Sequence, residues 1–170
     1  MLRRRLGPIL LIALGALLAA GAVGWLTFSQ LLANPGTVTV PDSVAGVPLA
    51  RNTVGVEAVA EVTRLHGKEF PLTSGAMAIY GNGAVTLWVS GAPAAPMAAE
   101  MVRSMADKIA EGRSPFTQLG VRQINGRVIY ELAGMDQRHF YFQSGSLVIW
   151  LTADQAIAEK ALEEVAAFYP

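Results

Sequence analysis

Cysteine is absent from all 170 residues. That excludes disulfide staples, thiolate zinc sites, c-type haem attachment, a lipid-modified cysteine and a cysteine nucleophile. Histidine is scarce as well: His66 and His139 are the two in the chain, too few to define a metal site without carboxylates at known geometry. There is no G-x-S-x-G elbow, no H-E-x-x-H helix and no glycine-rich phosphate loop opening a helix. Ser144-Gly145-Ser146 fits a hairpin turn better than a nucleophile. Asp107, Glu111, Glu163 and Glu164 read as solvated helix faces rather than an acid/base pair. The expectation is a non-catalytic chain with no cofactor, no catalytic residue and no metal ligand set.

Charge is missing from one long stretch. After Arg3, Arg4 and Arg5 no charged side chain occurs until Asp42, and residues 6–28 are almost wholly apolar. As a helix those residues extend about 34 Å, enough to cross a hydrocarbon core roughly 30 Å thick. Cationic flanks stay on the cytoplasmic side, so residues 1–5 read as a cytoplasmic basic tip, 6–33 as a transmembrane signal anchor and the remainder as extracytoplasmic. The expected location is the cell membrane, crossed once. Ala20-Gly21-Ala22 offers the competing reading, a cleaved signal peptide. Cleavage there would leave an apolar new terminus containing Trp25, which fits an interfacial anchor better.

Basic residues balance acidic ones at 13 each. Removing the three leading arginines leaves 10 basic residues against 13 acidic, so the exported part carries about −3. That argues against a nucleic-acid partner, whose phosphates require a basic surface. The remaining partners are the lipid bilayer, through the N-terminal helix, and another protein. Ala13, Ala16, Ala20 and Gly24 recur every three or four residues, a spacing that lets a second membrane helix approach closely.

Asn34-Pro35-Gly36 stops the membrane helix, and the proline- and glycine-rich stretch 34–48 reads as a linker with room for one strand. The exported domain is then 49–170. Helices are expected at 53–66, closed by Gly67, at 94–111, and from about Asp154 to the end, where Thr152 and Gln155 have capping-box spacing. Strand pairs lie between them. Asn125-Gly126 is the strongest turn signal, with further turns at 81–84 and 143–146. The fold class expected is α+β: an antiparallel sheet of about three hairpins packed against helices. Tyr80 to Ser90 also matches Phe142 to Thr152 without a gap, each leading into an alanine-rich helix, which suggests duplication of a hairpin-plus-helix unit.

Strand parity then sorts the side chains. One face collects Tyr80, Leu87, Phe140, Phe142, Ile149 and Leu151. The other is expected to carry Trp88, Trp150, Tyr141 and His139 together with the charges Arg122 and Glu131. Rigid rings beside an arginine suit a binding face, so these six residues are the expected site, for a protein partner. Two alternatives come from other classes. One is a receptor pocket for a small molecule near the tryptophans. The same receptor reading admits copper at the Met97, Met101 and Met105 stripe, a pattern that at helical spacing also describes a core face; the other alternative is an enzyme of unrecognised type.

Overall fold

The computed structural model describes residues 3–67, 69–112 and 114–170. Contacts divide the chain into two units, Met1–Asn34 and Pro35–Pro170.

The first unit is one helix, α1 (Arg3–Ala33). Its stretch Gly7–Ala33 is long and apolar enough to cross a membrane. The arginines of the basic tip open this helix, while residues 1 and 2 lie outside the described residues. Leucines and isoleucines along it are exposed, Leu11 and Ile12 among them, as lipid-facing side chains are. Its two hydroxyls are internally satisfied: Thr27 Oγ1 donates to Val23 O at 3.0 Å and Ser29 Oγ to Leu26 O at 2.9 Å. Ala13, Ala16, Ala20 and Gly24 all lie within α1. A Cβ built on Gly24 would meet nothing within 4 Å.

The second unit runs β1 (Gly36–Thr37), β2 (Ser43–Val44), β3 (Val47–Val54), α2 (Val56–His66), β4 (Ser74–Tyr80), β5 (Val85–Gly91), α3 (Ala95–Ala110), β6 (Thr117–Ile124), β7 (Arg127–Gly134), β8 (Gln137–Ser144), β9 (Leu147–Asp154) and α4 (Ala158–Phe168). The α+β class is as expected, but three hairpins undercount the strands. All nine join one sheet, ordered β2-β3-β4-β5-β9-β8-β7-β6, with β1 beside β4. Every pair is antiparallel except the short β1–β4 pair.

That order is palindromic about β5 and β9, and Trp88 sits directly opposite Trp150 at its centre. The matched segments are therefore neighbours across an approximate twofold of the sheet. The helices break the symmetry. The residues of α3 join Tyr141, Val148 and Trp150, whereas those of α4 join Phe140, Phe142 and Leu151. These two sets alternate along β8 and β9, so the two helices lie on opposite faces of the sheet.

Segment 34–48, expected as a linker, is part of the folded unit from Pro35 onward. Val40 and Val44 are buried. Two core tyrosines hold the segment: Tyr80 Oη donates to Pro41 O at 3.0 Å and Tyr169 Oη to Thr39 O at 2.9 Å. Helix starts also differ from expectation. Thr53 belongs to β3, so α2 begins at Val56, and it ends on Gly67 in the left-handed region as its sequence implied. Thr152 and Gln155 form no capping box, because Thr152 remains in β9 and α4 begins at Ala158.

Turn chemistry accounts for the register. Asn125 (φ 51°) and Gly126 (φ 77°) connect Ile124 to Arg127, the two-residue turn their sequence suggests. The β7–β8 turn carries no such signal, since Met135 (φ 53°) and Asp136 (φ 62°) adopt the same left-handed geometry without glycine. The loop at 81–84 has four residues between the paired Tyr80 and Val85. The last hairpin turns on Gly145-Ser146, between the paired Ser144 and Leu147.

Candidate site: an aromatic row and the cleft beside it

Adjacent pairings place Thr53, Met77, Trp88, Trp150, Tyr141, Tyr130 and Val121 in a single row across seven strands. Within it Tyr130 stacks on Tyr141 at 4.6 Å between centroids and 7° between planes, and Tyr141 on Trp150 at 5.3 Å and 11°. Such cross-strand ring pairs stiffen a sheet and fix its register. Helix α3 covers the row at β8 and β9 and leaves Val121 at its end exposed: Ala98 and Val102 are buried against Leu132, Tyr141 and Val148, with Met101, Met105, Phe116 and Trp150 at their margin. The methionine stripe is thus largely a packing face, although Met97 is exposed.

Helix α2 packs at the other end, on β3 and β4. It comes close because Gly75 has no side chain, and a Cβ there would lie 3.0 Å from Val59 Cγ2 and 3.3 Å from Ala58 Cβ. A cleft of about 590 Å³ opens against this helix. Met77, Ile79, Thr86 and Trp88 form its floor, while Glu57, Ala60, Glu61 and Arg64 of α2 form a wall and Arg51 and Thr53 of β3 border it. Arg64 pairs with Glu61 within the helix. Among the described residues Arg51 and Glu57 have no ion-pair or hydrogen-bond partner. The cleft therefore combines a half-buried tryptophan, an apolar floor and two unspent charges of opposite sign.

Trp88 and Trp150 are both half-buried, neither fully sealed nor openly displayed. Tyr141 is 1% exposed and His139 4%, so neither offers a surface to a partner. The ring of His139 is fully engaged. Its Nε2 lies 2.9 Å from Gly134 O, which makes Nε2 the protonated nitrogen and leaves Nδ1 to accept from Thr152 Oγ1 at 3.0 Å and Trp150 Nε1 at 3.4 Å. Phe116 lies against it, 4.7 Å between centroids, in space that Gly134 leaves by lacking a Cβ. Burial holds the pKa of His139 below its ordinary 6.5, opposed by its bond to Gly134. A neutral imidazole with all its hydrogen-bonding capacity used is a fastener for β8, β9 and the β7 end.

Arg122 and Glu131 do not join the tryptophans. Glu131 pairs with Phe140 and Arg122 with Ile129, which puts both charges on the α4 face. Parity holds within the β6–β7 hairpin, but that hairpin's phase against β8 depends on the β7–β8 turn at Met135 and Asp136. On the α4 face the charges form a closed cluster. Glu131 forms an ion pair with Arg122 and accepts from Arg138 at 2.8 Å, while Glu159 of α4 accepts from Arg122 at 2.7 Å and Arg138 at 3.2 Å. Both guanidiniums approach the Phe140 ring, at 5.9 and 5.2 Å from its centroid. The hydrogen bond from Arg122, followed by the charges of Arg122 and Arg138, holds the Glu159 carboxyl below its usual range. This cluster ties the start of α4 to β6, β7 and β8.

Comparison with protein-family models, with curated proteins and with solved structures finds no match to this chain. Among the described residues no group of three or more His, Asp or Glu is placed to hold a metal ion.

Proposed function

We propose that the chain is a membrane-anchored binding module whose folded unit sits outside the cytoplasm and takes a segment of a partner protein into the Trp88 cleft. One observation carries this reading. The cleft is the place where the aromatic row emerges between its two covering helices, and it is bordered by an unpaired Arg51 and an unpaired Glu57 among the described residues. A rigid ring that anchors an apolar side chain, with charges at the rim to set orientation, is the arrangement that dominates protein interfaces. The basic residues before the apolar run support the orientation, since cationic flanks are retained in the cytoplasm. A cleft of this kind needs no chemistry, and the reading is non-catalytic.

The test compares full-length wild type with Trp88→Ala, each purified by affinity from its own membranes after mild cross-linking. A partner recovered with wild type and lost with Trp88→Ala is the expected result, with both proteins equally folded by circular dichroism. Equal recovery with both overturns the assignment of the cleft. The cleft volume also lies within the range of small-molecule sites, which favours a second reading as a small-ligand receptor. Native mass spectrometry showing a molecule below about 1 kDa retained by wild type alone, a size matched to such sites, would select it.

A further inference from the structure

We infer that the chain self-associates through β6, two copies pairing antiparallel at that edge to continue the sheet. The two edges of this sheet are treated differently. On the β3 side the edge is blunted: β2 has two residues, Pro41 and Pro48 remove backbone donors, and β3 carries an irregularity between Leu49 and Arg51. These are the devices by which folded proteins prevent strand addition. Edge strand β6 has eight residues, one neighbour, and no lysine, proline or acidic residue. Its own irregularity falls near the start, between Gln118 and Gly120, and the register from Gly120 to Ile124 is unbroken.

Its exposed side chains point the same way. Leu119 and Val121 are 53% and 52% exposed, and Val128 on the adjoining β7 is 42% exposed. Branched apolar residues clustered at an open edge, with the outward backbone N–H and C=O groups unpaired, call for another extended strand.

Charge and register select a second copy as that strand. A twofold normal to the sheet preserves faces, so residues of the same parity must oppose one another. Centring the pair on Arg122 would oppose two guanidiniums, which is unfavourable. Centring it on Val121 sets Val121 against Val121 and Arg122 against Gly120, with Leu119 at the bulge beside Gln123. Arg122 is already neutralised by Glu131 and Glu159, so approach of two copies meets no uncompensated charge. A membrane-spanning α1 would further hold copies in one plane at high effective concentration.

The absence of native cysteine makes a direct test available. Full-length Val121→Cys and, as a control on the opposite edge, Asn52→Cys are placed in lipid nanodiscs or native membranes and oxidised with copper phenanthroline. The Val121→Cys protein is expected to convert mostly to a disulfide-linked dimer, whereas the Asn52→Cys protein stays monomeric. In parallel, the wild-type dimer expected by light scattering in mild detergent should be lost in Val121→Lys. Monomeric wild type, or a dimer that persists in Val121→Lys while the Val121→Cys protein fails to link, overturns the inference; the latter would place the contact elsewhere, as in α1. Should Val121→Lys misfold, the cross-linking of Val121→Cys decides alone. Trp88→Ala is expected to leave the dimer intact, which keeps this outcome separate from the fate of the cleft.

Discussion

The two faces of the sheet are built from the same strands and finished differently. On the α4 face the central positions are closed. Phe140, Phe142, Ile149 and Leu151 are fully buried beneath Ala161, Leu162 and Val165; Arg122, Arg138, Glu131 and Glu159 are matched among themselves, and Arg127 donates to the carbonyls of Ala166 and Tyr169. On the other face α2 packs over β3 and β4 and α3 over β8 and β9, leaving between them Trp88 at a cleft whose bordering Arg51 and Glu57 are unmatched among the described residues. A face whose charges are engaged within the fold has finished its work in folding. Charges left unpaired beside a half-buried ring are what binding requires, and this difference, rather than the aromatic content alone, separates scaffold from site.

The largest expected effect lies on the α4 face. Phe140→Ala removes a fully buried ring and is expected to cost about 3–5 kcal/mol, measured by urea unfolding of the full chain in detergent. A cost near that of an exposed substitution would mean that α4 does not seal this face. Next in size, Glu131→Gln leaves Arg122 and Arg138 without their shared, largely buried carboxylate. The expected loss is about 2 kcal/mol, reduced from the fully buried case because Arg122 and Glu159 are partly in water. It should be nearly absent in an Arg122→Met, Arg138→Met background, a double-mutant comparison that isolates the cluster.

A smaller effect separates the faces by pH. The unfolded chain protonates His139 near the ordinary value of 6.5, and the folded chain only at lower pH because the ring is buried. Stability is therefore unaffected by this residue above about 6.5, falls as pH drops below it, and levels once the folded imidazole is itself protonated. Glu159 on the opposite face has its pKa depressed from the ordinary 4.5, so its contribution is present above that unfolded value and is lost as pH falls through the folded one. Urea midpoints followed from neutral pH into acid should show two descending steps. His139→Gln should erase the upper one alone, and an upper step surviving unchanged would show that His139 is not held neutral.

Much of this was legible in the sequence, for identifiable reasons. A long uncharged run announces α1, alternation in 74–91 and 137–154 announces four central strands, and Asn125-Gly126 fixes one hairpin. The internal match between Tyr80–Ser90 and Phe142–Thr152 also aligns Trp88 with Trp150, which the sheet sets side by side. Segment 36–48 escaped because its strands are too short for any periodicity, and it is held by the hydroxyls of Tyr80 and Tyr169, side chains distant in sequence. The grouping of Arg122 and Glu131 with the tryptophans failed at one point. Parity holds within a hairpin, but relating two hairpins needs the length of the turn between them, and Met135-Asp136 gives no turn signal. The cleft itself depends on where α2 rests, which Gly75 decides through the absence of a side chain.

The smallest expected effect on stability is at the rim of the cleft. Arg51 is exposed and, among the described residues, pairs with nothing, so Arg51→Ala should change the unfolding free energy by no more than about 0.5 kcal/mol. If the cleft is a site, the same substitution should reduce recovery of the partner by about tenfold, the loss of one charged contact at an interface worth about 1.4 kcal/mol. Added salt should mimic the loss, since a rim charge acts through screened solvent. Arg103, on α3, is also exposed but already paired with Glu100, and Arg103→Ala serves as the matched control. Recovery that falls equally with both substitutions would reflect overall charge. A fall confined to Arg51, with stability unchanged, would show that the open face keeps its charge for a ligand while the closed face uses its charges to fold.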